Sequence, residues 1–263
     1  MRMRRLFPML FLIAVLIPTY STPVKAAGAA RPLRQLSSTA ANTANKRSGL
    51  VGAAVYRLDT DDLYSFQGNQ QFTMYSIAKV PIMLAVLDRA VRQDRRVTYR
   101  EQNLIEAMIE WSDNDATNVL YDSVGDAPGV QDFLSRNGIY NTSMDNNAWG
   151  NSVTTPQDMA RLMARLSNCM MLVQRLCGYA LQVMQDVDSS QSWGVTAGTG
   201  NSPVALKNGW YPDSEGWGIN SMGIVMKGGH AYAIAVLTYP NPSMDYGIST
   251  VEQISTATYQ AMQ

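Results

Sequence analysis

The spacing of apolar and polar residues changes along the chain and predicts different secondary structure in successive stretches. Residues 49–55 and 63–66 are apolar or β-rich and flank the acidic residues 59–62, a pattern that predicts a β-hairpin. Residues 77–91 are apolar almost all round, which indicates a helix buried on most of its sides. Further helical periodicity covers residues 98–111, 116–124, 129–137, 156–166 and 172–184. The middle of the chain is therefore predicted to be all helical.

After Gly200 the pattern changes to short β-rich runs separated by turn residues. The runs cover residues 204–206, 219–226 and 231–239, and a final helix is predicted over residues 248–262. A sheet made from these strands and the early hairpin is discontinuous in sequence. The fold class predicted is therefore α+β.

We expect two domains. Residues 27–75 together with residues 200–263 would form the sheet domain, and residues 76–199 the all-helical domain inserted into it. Residues 27–48 are small and polar and suit a loose leader or a first surface helix. The cleft between the domains is the expected binding site.

Residues 1–26 have the pattern of a secretory signal. Basic residues are followed by the apolar run 6–18 and by small residues around Ala26. An uncleaved membrane anchor is disfavoured, because thirteen apolar residues interrupted by Pro8 are fewer than the roughly 20 that span a bilayer. We expect a secreted protein after removal of the signal.

Composition and charge exclude several classes of protein. The 263 residues are 46% hydrophobic and 16% charged, unlike disordered, collagen-like or coiled-coil chains. Removing residues 1–26 takes away four of the 21 Lys and Arg residues and leaves 17 against 21 acidic ones, a formal charge of −4. No long basic run follows residue 50, so we expect no nucleic-acid partner. We expect a monomer.

Cys169 and Cys177 are the only cysteines, and His230 is the only histidine. On one unbroken helix, cysteines eight residues apart would have Cα atoms about 12 Å apart, so a disulfide requires a break in the helix. Two buried thiols are the equally open alternative. A metal site or a Ser-His-Asp triad would depend on His230 alone, so we expect no metal and no cofactor.

Ser76 and Lys79 open the predicted buried helix. A spacing of three residues brings a hydroxyl and an amine to one helix face. A lysine whose pKa is lowered by burial can deprotonate the serine, and the positive end of the helix dipole favours an oxyanion beside it. On its own, this pattern is usually an ordinary helix N-cap.

Two further short motifs have both a chemical and a structural interpretation. Ser112, Asp113 and Asn114 follow a predicted helix and suit a helix cap or turn. Lys207 lies at the end of a predicted strand, where it is either solvated or able to bind a carboxylate. Gly209 would let a substrate approach the backbone closely.

In combination, these motifs resemble those of class A β-lactamases and penicillin-binding proteins, which carry S-x-x-K, S-D-N and K-T-G in this order. Here the third motif is K-N-G. Residues 72–75, 112–118 and 154–156 also resemble the family, and the resemblance covers roughly residues 45–262. It implies a β-lactamase-like fold with an antiparallel sheet flanked by helices.

The resemblance also implies catalytic roles. Ser76 would attack a carbonyl and form an acyl-enzyme, and Lys79 would help to remove its proton. Ser112 would relay a proton to the leaving nitrogen or oxygen. The backbone amides of Ser76 and Trp210 would form the oxyanion hole.

Substrate binding is implied for the residues around these groups. Asn114 would orient the substrate and Lys79, and Lys207 would hold a substrate carboxylate. Asn208, Gly209 and Trp210 would line the site, with Asn208 in place of the threonine of the family and bulky Trp210 where a small residue would leave the cleft open.

The loop at residues 141–153 departs from the family. In class A β-lactamases a glutamate on the corresponding loop activates the water that hydrolyses the acyl-enzyme. This loop contains no glutamate, is shorter than in the family, and has Asp145 as its only carboxylate. The usual deacylating base is therefore missing.

Three hypotheses follow. The first is an exported serine hydrolase that acts on an amide or ester, such as a cell-wall peptide, and turns over lactams weakly. The second is a working β-lactamase that deacylates through Asp145 or through a water activated by Lys79. The third is a non-catalytic member of the fold that binds a wall fragment or a protein.

Overall fold

The computed structural model describes residues 34–226 and 230–262, so the predicted signal at residues 1–26 lies outside the described residues. The strands are β1 (Leu50–Arg57), β2 (Leu63–Phe66), β3 (Phe72–Thr73), β4 (Val153–Thr154), β5 (Val204–Pro212), β6 (Trp217–Val225) and β7 (Tyr232–Asn241). Five of them form an antiparallel sheet in the order β2-β1-β7-β6-β5. The predicted hairpin is β1 and β2, and it pairs with the C-terminal strands through β7.

The helices are α1 (Arg34–Ala44), α2 (Lys79–Arg92), α3 (Tyr99–Glu110), α4 (Asn114–Ser123), α5 (Asp126–Arg136), α6 (Pro156–Ser167), α7 (Gln174–Gln185) and α8 (Met244–Ala261). The prediction of a buried helix at residues 77–91 is confirmed by α2, which is buried along most of its length. Helix α1 occupies part of the segment for which a leader or a surface helix was expected. No helix in the described ranges is both long and apolar enough to cross a membrane.

The sheet lies between α6 and α8. On β6, the side chain of Ile219 faces Gly247 of α8, whereas Gly52 of β1 faces Pro156 at the start of α6. Gly52 lies opposite Leu237 of β7, and Leu237 lies opposite Asn220 of β6, so Gly52 and Asn220 are on the same face of the sheet. Ile219 is next to Asn220 on β6 and therefore points to the other face. The two helices therefore cover opposite faces, and both interfaces are filled with apolar side chains.

The middle of the chain is not all helical, which corrects the prediction. Strand β4 pairs with β3, with Thr154 opposite Phe72, and Ser143 forms a bridge with Val153. A strand of two residues is too short for its alternation to be visible in the sequence. This small sheet fastens the segment before Ser76 to the end of the loop at residues 141–153.

Strand β5 extends six residues beyond the predicted end at residue 206. Its pairing with β6 continues from Val204 opposite Val225 to Pro212 opposite Trp217. Lysine, asparagine and glycine have little strand propensity, so the pairing with β6 determines the conformation here. The motif that begins at Lys207 therefore lies inside a strand and not at its end.

The cysteines form a disulfide, with Cα atoms 5.5 Å apart. Helix α6 ends at Ser167 and α7 begins at Gln174, which provides the break that pairing requires. Cys169 lies in the intervening turn with a positive φ of 50°. Of the two alternatives left open by the sequence, the structure contains the disulfide.

Candidate active site

Ser76 is presented by a turn between β3 and α2. A 3₁₀ turn, Tyr75–Ala78, leads directly into α2. Tyr75 has a φ of 50°, an unfavourable conformation for an aromatic residue that the surroundings must maintain. Asn220 on β6 holds the segment by donating hydrogen bonds to the carbonyls of Thr73 at 2.8 Å and Met74 at 3.3 Å. This role of Asn220 could not be predicted from the sequence, because its partners are distant in the chain.

The amine of Lys79 lies at the centre of the site, and its side chain is fully buried. Its Nζ is 3.0 Å from Ser76 Oγ, 3.0 Å from Ser112 Oγ and 2.8 Å from the Ser112 carbonyl oxygen. The Oδ1 of Asn114 accepts a further hydrogen bond at 2.7 Å. Burial lowers the pKa of Lys79 to about 7, against a smaller opposing effect of the Asp113 charge. A large neutral fraction is therefore available near pH 7 to accept a hydroxyl proton.

Ser112 reaches Lys79 because of an unusual backbone conformation. Its φ is 59°, in the left-handed region that serine seldom adopts. Asp113 then caps α4, with its Oδ1 accepting from the amide of Ala116 at 2.7 Å. The helix-cap interpretation of this motif therefore applies to Asp113, while Ser112 lies where the chemical interpretation requires it.

Lys207 lies in the interior beside the site and is not a solvated residue at a strand end. Its side chain is fully buried, and its Nζ donates to Gln191 Oε1 at 3.3 Å. Burial, and in second place the charge of Lys79, lowers its pKa to about 7. Two amines that repel each other therefore share one buried region.

Gly209 brings β5 against the turn that carries Ser76. A Cβ atom at this position would lie 2.8 Å from the backbone nitrogens of both Ser76 and Ile77. Because β5 is an edge strand, alternate backbone groups on it are not paired with β6 and can face this turn. The backbone of Trp210 follows directly, as an oxyanion hole built from Ser76 and Trp210 requires.

Asn208 does not line the cleft. Its Nδ2 donates to the carbonyls of Gln191 at 2.7 Å and Trp193 at 3.0 Å, while its Oδ1 is buried without a partner. Its amide therefore holds the segment that also supplies the contact to Lys207. The ring of Trp193 packs against that of Trp210 at 5.7 Å between centroids.

An open cleft of 520 Å³ leads to Ser76. Its aromatic lining residues are Tyr75, Trp149, Trp210 and Tyr211, and its asparagines are Asn114, Asn118, Asn147 and Asn151. Among the described residues that line this cleft, none carries a carboxylate. His230 lies elsewhere, 3.8 Å from an oxygen of Asp59.

Trp149 covers the amine of Lys79 from the side of the 141–153 loop. The Lys79 Nζ lies 4.7 Å from the centroid of the indole ring, at cation–π distance. The indole Nε1 donates to Asn118 Oδ1 at 2.8 Å, which fixes the ring. Sequence reasoning missed Trp149, because a tryptophan in a loop has no distinctive spacing.

Asp145 points into its own loop. Its Oδ1 accepts hydrogen bonds from the amides of Asn147 at 2.8 Å and Ala148 at 2.7 Å. Its backbone carbonyl accepts from the Tyr121 hydroxyl at 2.7 Å, and it is not among the residues that line the cleft. The carboxylate therefore stabilises the loop and does not face Ser76.

Comparison with known proteins identifies the family and the fold of this chain. The sequence model of the Beta-lactamase enzyme family matches residues 35–101 and 90–262. The TLA-3 extended-spectrum β-lactamase superposes with a TM-score of 0.80 at 18% identity, covering 88% of this chain and 99% of that one. PBP-A gives 0.76 at 23% identity, with 88% and 97% covered. A β-lactamase from Chitinophaga pinensis DSM 2588 gives 0.76 at 19% identity, with 87% and 99% covered.

These likenesses confirm the predicted fold, an antiparallel sheet flanked by helices. The match to the family model extends over nearly all of the described residues. The chain belongs to the β-lactamase enzyme family.

Proposed function

We propose that this protein is an exported serine hydrolase that forms an acyl-enzyme on Ser76 with an amide or ester substrate, such as a cell-wall peptide, and that it turns over β-lactams weakly. One observation carries the proposal. A fully buried amine with a pKa of about 7 lies 3.0 Å from each of two serine hydroxyls, those of Ser76 and Ser112, in a cleft.

Acylation begins when neutral Lys79 accepts the proton of the Ser76 hydroxyl and Oγ attacks the substrate carbonyl. The negative charge that develops on the carbonyl oxygen is stabilised by the backbone amides of Ser76 and Trp210. The proton then moves from Lys79 to Ser112 and on to the leaving nitrogen or oxygen. The products are the acyl-enzyme and a free amine or alcohol.

The charge near the site favours a substrate with a carboxylate. Lys207 is buried beside Lys79, and within the described residues neither amine makes an ion pair. With Lys79 neutral, as acylation requires, the positive field that attracts an anion into the cleft comes from protonated Lys207, and a bound carboxylate would in turn favour that protonated form. The aromatic lining supplies apolar contact area for the rest of the substrate.

Weak deacylation follows from the missing base. No carboxylate lines the described cleft, and the Oδ1 of Asp145 accepts hydrogen bonds from two amides of its own loop. This observation supports the first hypothesis over a β-lactamase that uses Asp145. A PBP-A variant with a TM-score of 0.76 to this chain is an acyl-enzyme complex with penicillin G, so penicillin is a suitable probe.

Export is supported by two features. Residues 1–26 have the pattern of a secretory signal. The disulfide between Cys169 and Cys177 is of a kind that persists in oxidising compartments.

Intact-protein mass spectrometry tests the proposal. The protein is incubated separately with a penicillin, a cephalosporin and a peptide ending in D-Ala-D-Ala. We expect one acyl adduct on the wild type and none on Ser76→Ala, with Ser123→Ala, a replacement outside the cleft, as the matched control. Adducts on Ser76→Ala would refute the nucleophile, and failure of all three probes to label the wild type would favour a non-catalytic binding protein.

A further inference from the structure

A second cavity shares none of the residues that line the cleft. Its volume is 270 Å³, and it is bounded by the adjoining ends of β1 and β2, the second half of α6 and the turn after α6. Six of its lining residues carry the argument: Tyr56, Asp61, Leu63, Arg161, Arg165 and Met170.

Two arginines on α6 line this cavity without an acidic partner. Arg161 and Arg165 are one helical turn apart and therefore on one face. Within the described residues neither makes an ion pair, and the Nε of Arg165 is buried without any hydrogen-bond partner. A buried donor of this kind is costly unless an acceptor is supplied. Two guanidinium groups without ion pairs on one wall of a cavity are the observation that indicates an anionic ligand.

The charges around the cavity leave an excess of one positive charge. Asp61 also lines it, but its carboxylate already accepts a hydrogen bond from the Tyr56 hydroxyl at 2.6 Å. Burial and Asp61 raise the pKa of Tyr56 to about 12, and the charges of Arg161 and Arg165 oppose that rise. Both guanidinium groups therefore lie close enough to act on the same hydroxyl.

The rim of the cavity is apolar, and a disulfide next to Met170 restrains the turn that forms part of it. Met170 is 60% exposed, an unusual position for a large apolar side chain, and Leu63 lines the same cavity. Met170 directly follows Cys169, whose disulfide to Cys177 ties this turn to α7. The cavity therefore offers a charged wall on α6 and an apolar wall at its rim.

We propose that this cavity binds a small organic anion. Its oxyanion group, a carboxylate or a phosphate, lies between the guanidinium groups of Arg161 and Arg165, and its apolar part contacts Leu63 and Met170. Guanidinium groups match the planar geometry of such oxyanions with paired N–H donors. The single excess positive charge suits a ligand with one such group.

Isothermal titration calorimetry at low salt tests this binding with two probes, inorganic phosphate and hexanoate. We expect saturable binding of one probe per protein. Arg161→Gln should weaken it at least tenfold, and the additional change Arg165→Gln should abolish it. Arg161 is exposed, so its replacement leaves the fold intact. Arg175→Gln, at an exposed position on α7 outside the cavity, is the matched control and should bind as the wild type does.

The two probes separate the possible sources of the anion. Tighter binding of hexanoate indicates a carboxylate with an apolar chain, and tighter binding of phosphate indicates a phosphate ester. Labelling of Ser76 should stay unchanged in Arg161→Gln, because the two cavities share no residue. The proposal is overturned if neither probe binds the wild type saturably, or if Arg161→Gln binds as tightly as the wild type.

Discussion

The protonation of Lys79 connects the chemistry of the cleft to pH. With a pKa of about 7, Lys79 is a competent base only above that pH. A fluorophosphonate probe carries no carboxylate, so its binding does not depend on the protonation of Lys207. We therefore expect its labelling rate to rise about tenfold per pH unit below pH 7 and to level off above.

Replacement of Lys79 tests whether its protonation controls the labelling rate. Lys79→Ala should slow labelling by on the order of 10² to 10⁴, the range for removal of a general base, and should remove the pH inflection. Mass spectrometry of samples quenched at successive times, from pH 5 to pH 9, measures the labelling rate and its pH dependence. An unchanged rate would exclude Lys79 as the base.

The same lysine should also affect stability. Its unfolded pKa is 10.5 and its folded pKa is about 7, so between these values the unfolded chain binds more protons than the folded protein. The free energy of unfolding should therefore rise with pH in this window, by up to about 1.4 kcal/mol per pH unit for such a group. Below pH 7 the full penalty of burying the charged amine is present.

Urea unfolding at pH 7, 8 and 9 checks this prediction on the wild type and on Lys79→Met, which replaces the amine with an apolar group of similar shape. The free energy of unfolding should rise less steeply with pH in the variant than in the wild type, and the rise that remains is the contribution of Lys207. Equal slopes in the two proteins would show that Lys79 does not titrate in this window.

Among the structural elements, the loop at residues 141–153 would determine the lifetime of the proposed acyl-enzyme. Because its aspartate is engaged by loop amides and its tryptophan covers Lys79, we expect a long-lived penicillin adduct on Ser76. Loss of a positioned base typically slows a step by roughly 10² to 10⁴. Asp145→Asn should leave the adduct lifetime unchanged in time-resolved mass spectrometry. If the wild type clears penicillin within seconds and Asp145→Asn stalls, Asp145 is the base and the β-lactamase hypothesis replaces ours.

The close approach of β5 to the first turn is a second feature at this scale. Gly209→Ala would place a Cβ atom 2.8 Å from two backbone nitrogens that cannot move aside easily. We expect a loss of about 1 to 3 kcal/mol in stability and of about 10² in the labelling rate of Ser76. Gly178→Ala on α7, where a Cβ atom has open space, is the control. Normal labelling by a folded Gly209→Ala protein would contradict this role.

The disulfide closes a short loop between α6 and α7. Replacing both cysteines with serine should lower the free energy of unfolding by somewhat under about 3 kcal/mol, the loop-closure contribution for such a segment. Denaturant unfolding of the double variant and the wild type measures the difference. Thiol titration of the unreduced, unfolded wild type should find no free thiol, and quantitative reaction would disprove the bridge.

Sequence patterns predicted these elements unevenly. The buried helix α2 and the hairpin were recognisable because their periodicity is local. The extension of β5 through Lys207 and Gly209, and the pairing of β3 with β4, were not, because both depend on a distant partner strand. In the same way the short motifs predicted Ser76, Lys79 and Ser112, whereas Trp149 and Asn220 act through contacts that no spacing encodes.

For the whole molecule, the site is assembled from parts that are far apart in the chain. The turn with Ser76, the Ser112 turn and β5 come together only in the folded protein. A resemblance in motif order could predict this assembly, but composition and periodicity alone could not. The division into two domains at residues 75 and 200 stays a prediction.

The pairing of β1 with β7 has a consequence for biosynthesis. Leu50 pairs with Tyr239, so the ribosome releases β1 long before its partner strand exists. Until then the early hairpin has an open edge, which favours association with other chains. Ser76 and Lys79 are likewise synthesised well before Gly209, which packs against the Ser76 turn. An incomplete chain should therefore be prone to aggregate and inert toward acylating probes, and labelling of Ser76 would report that the last strands have been made and have docked.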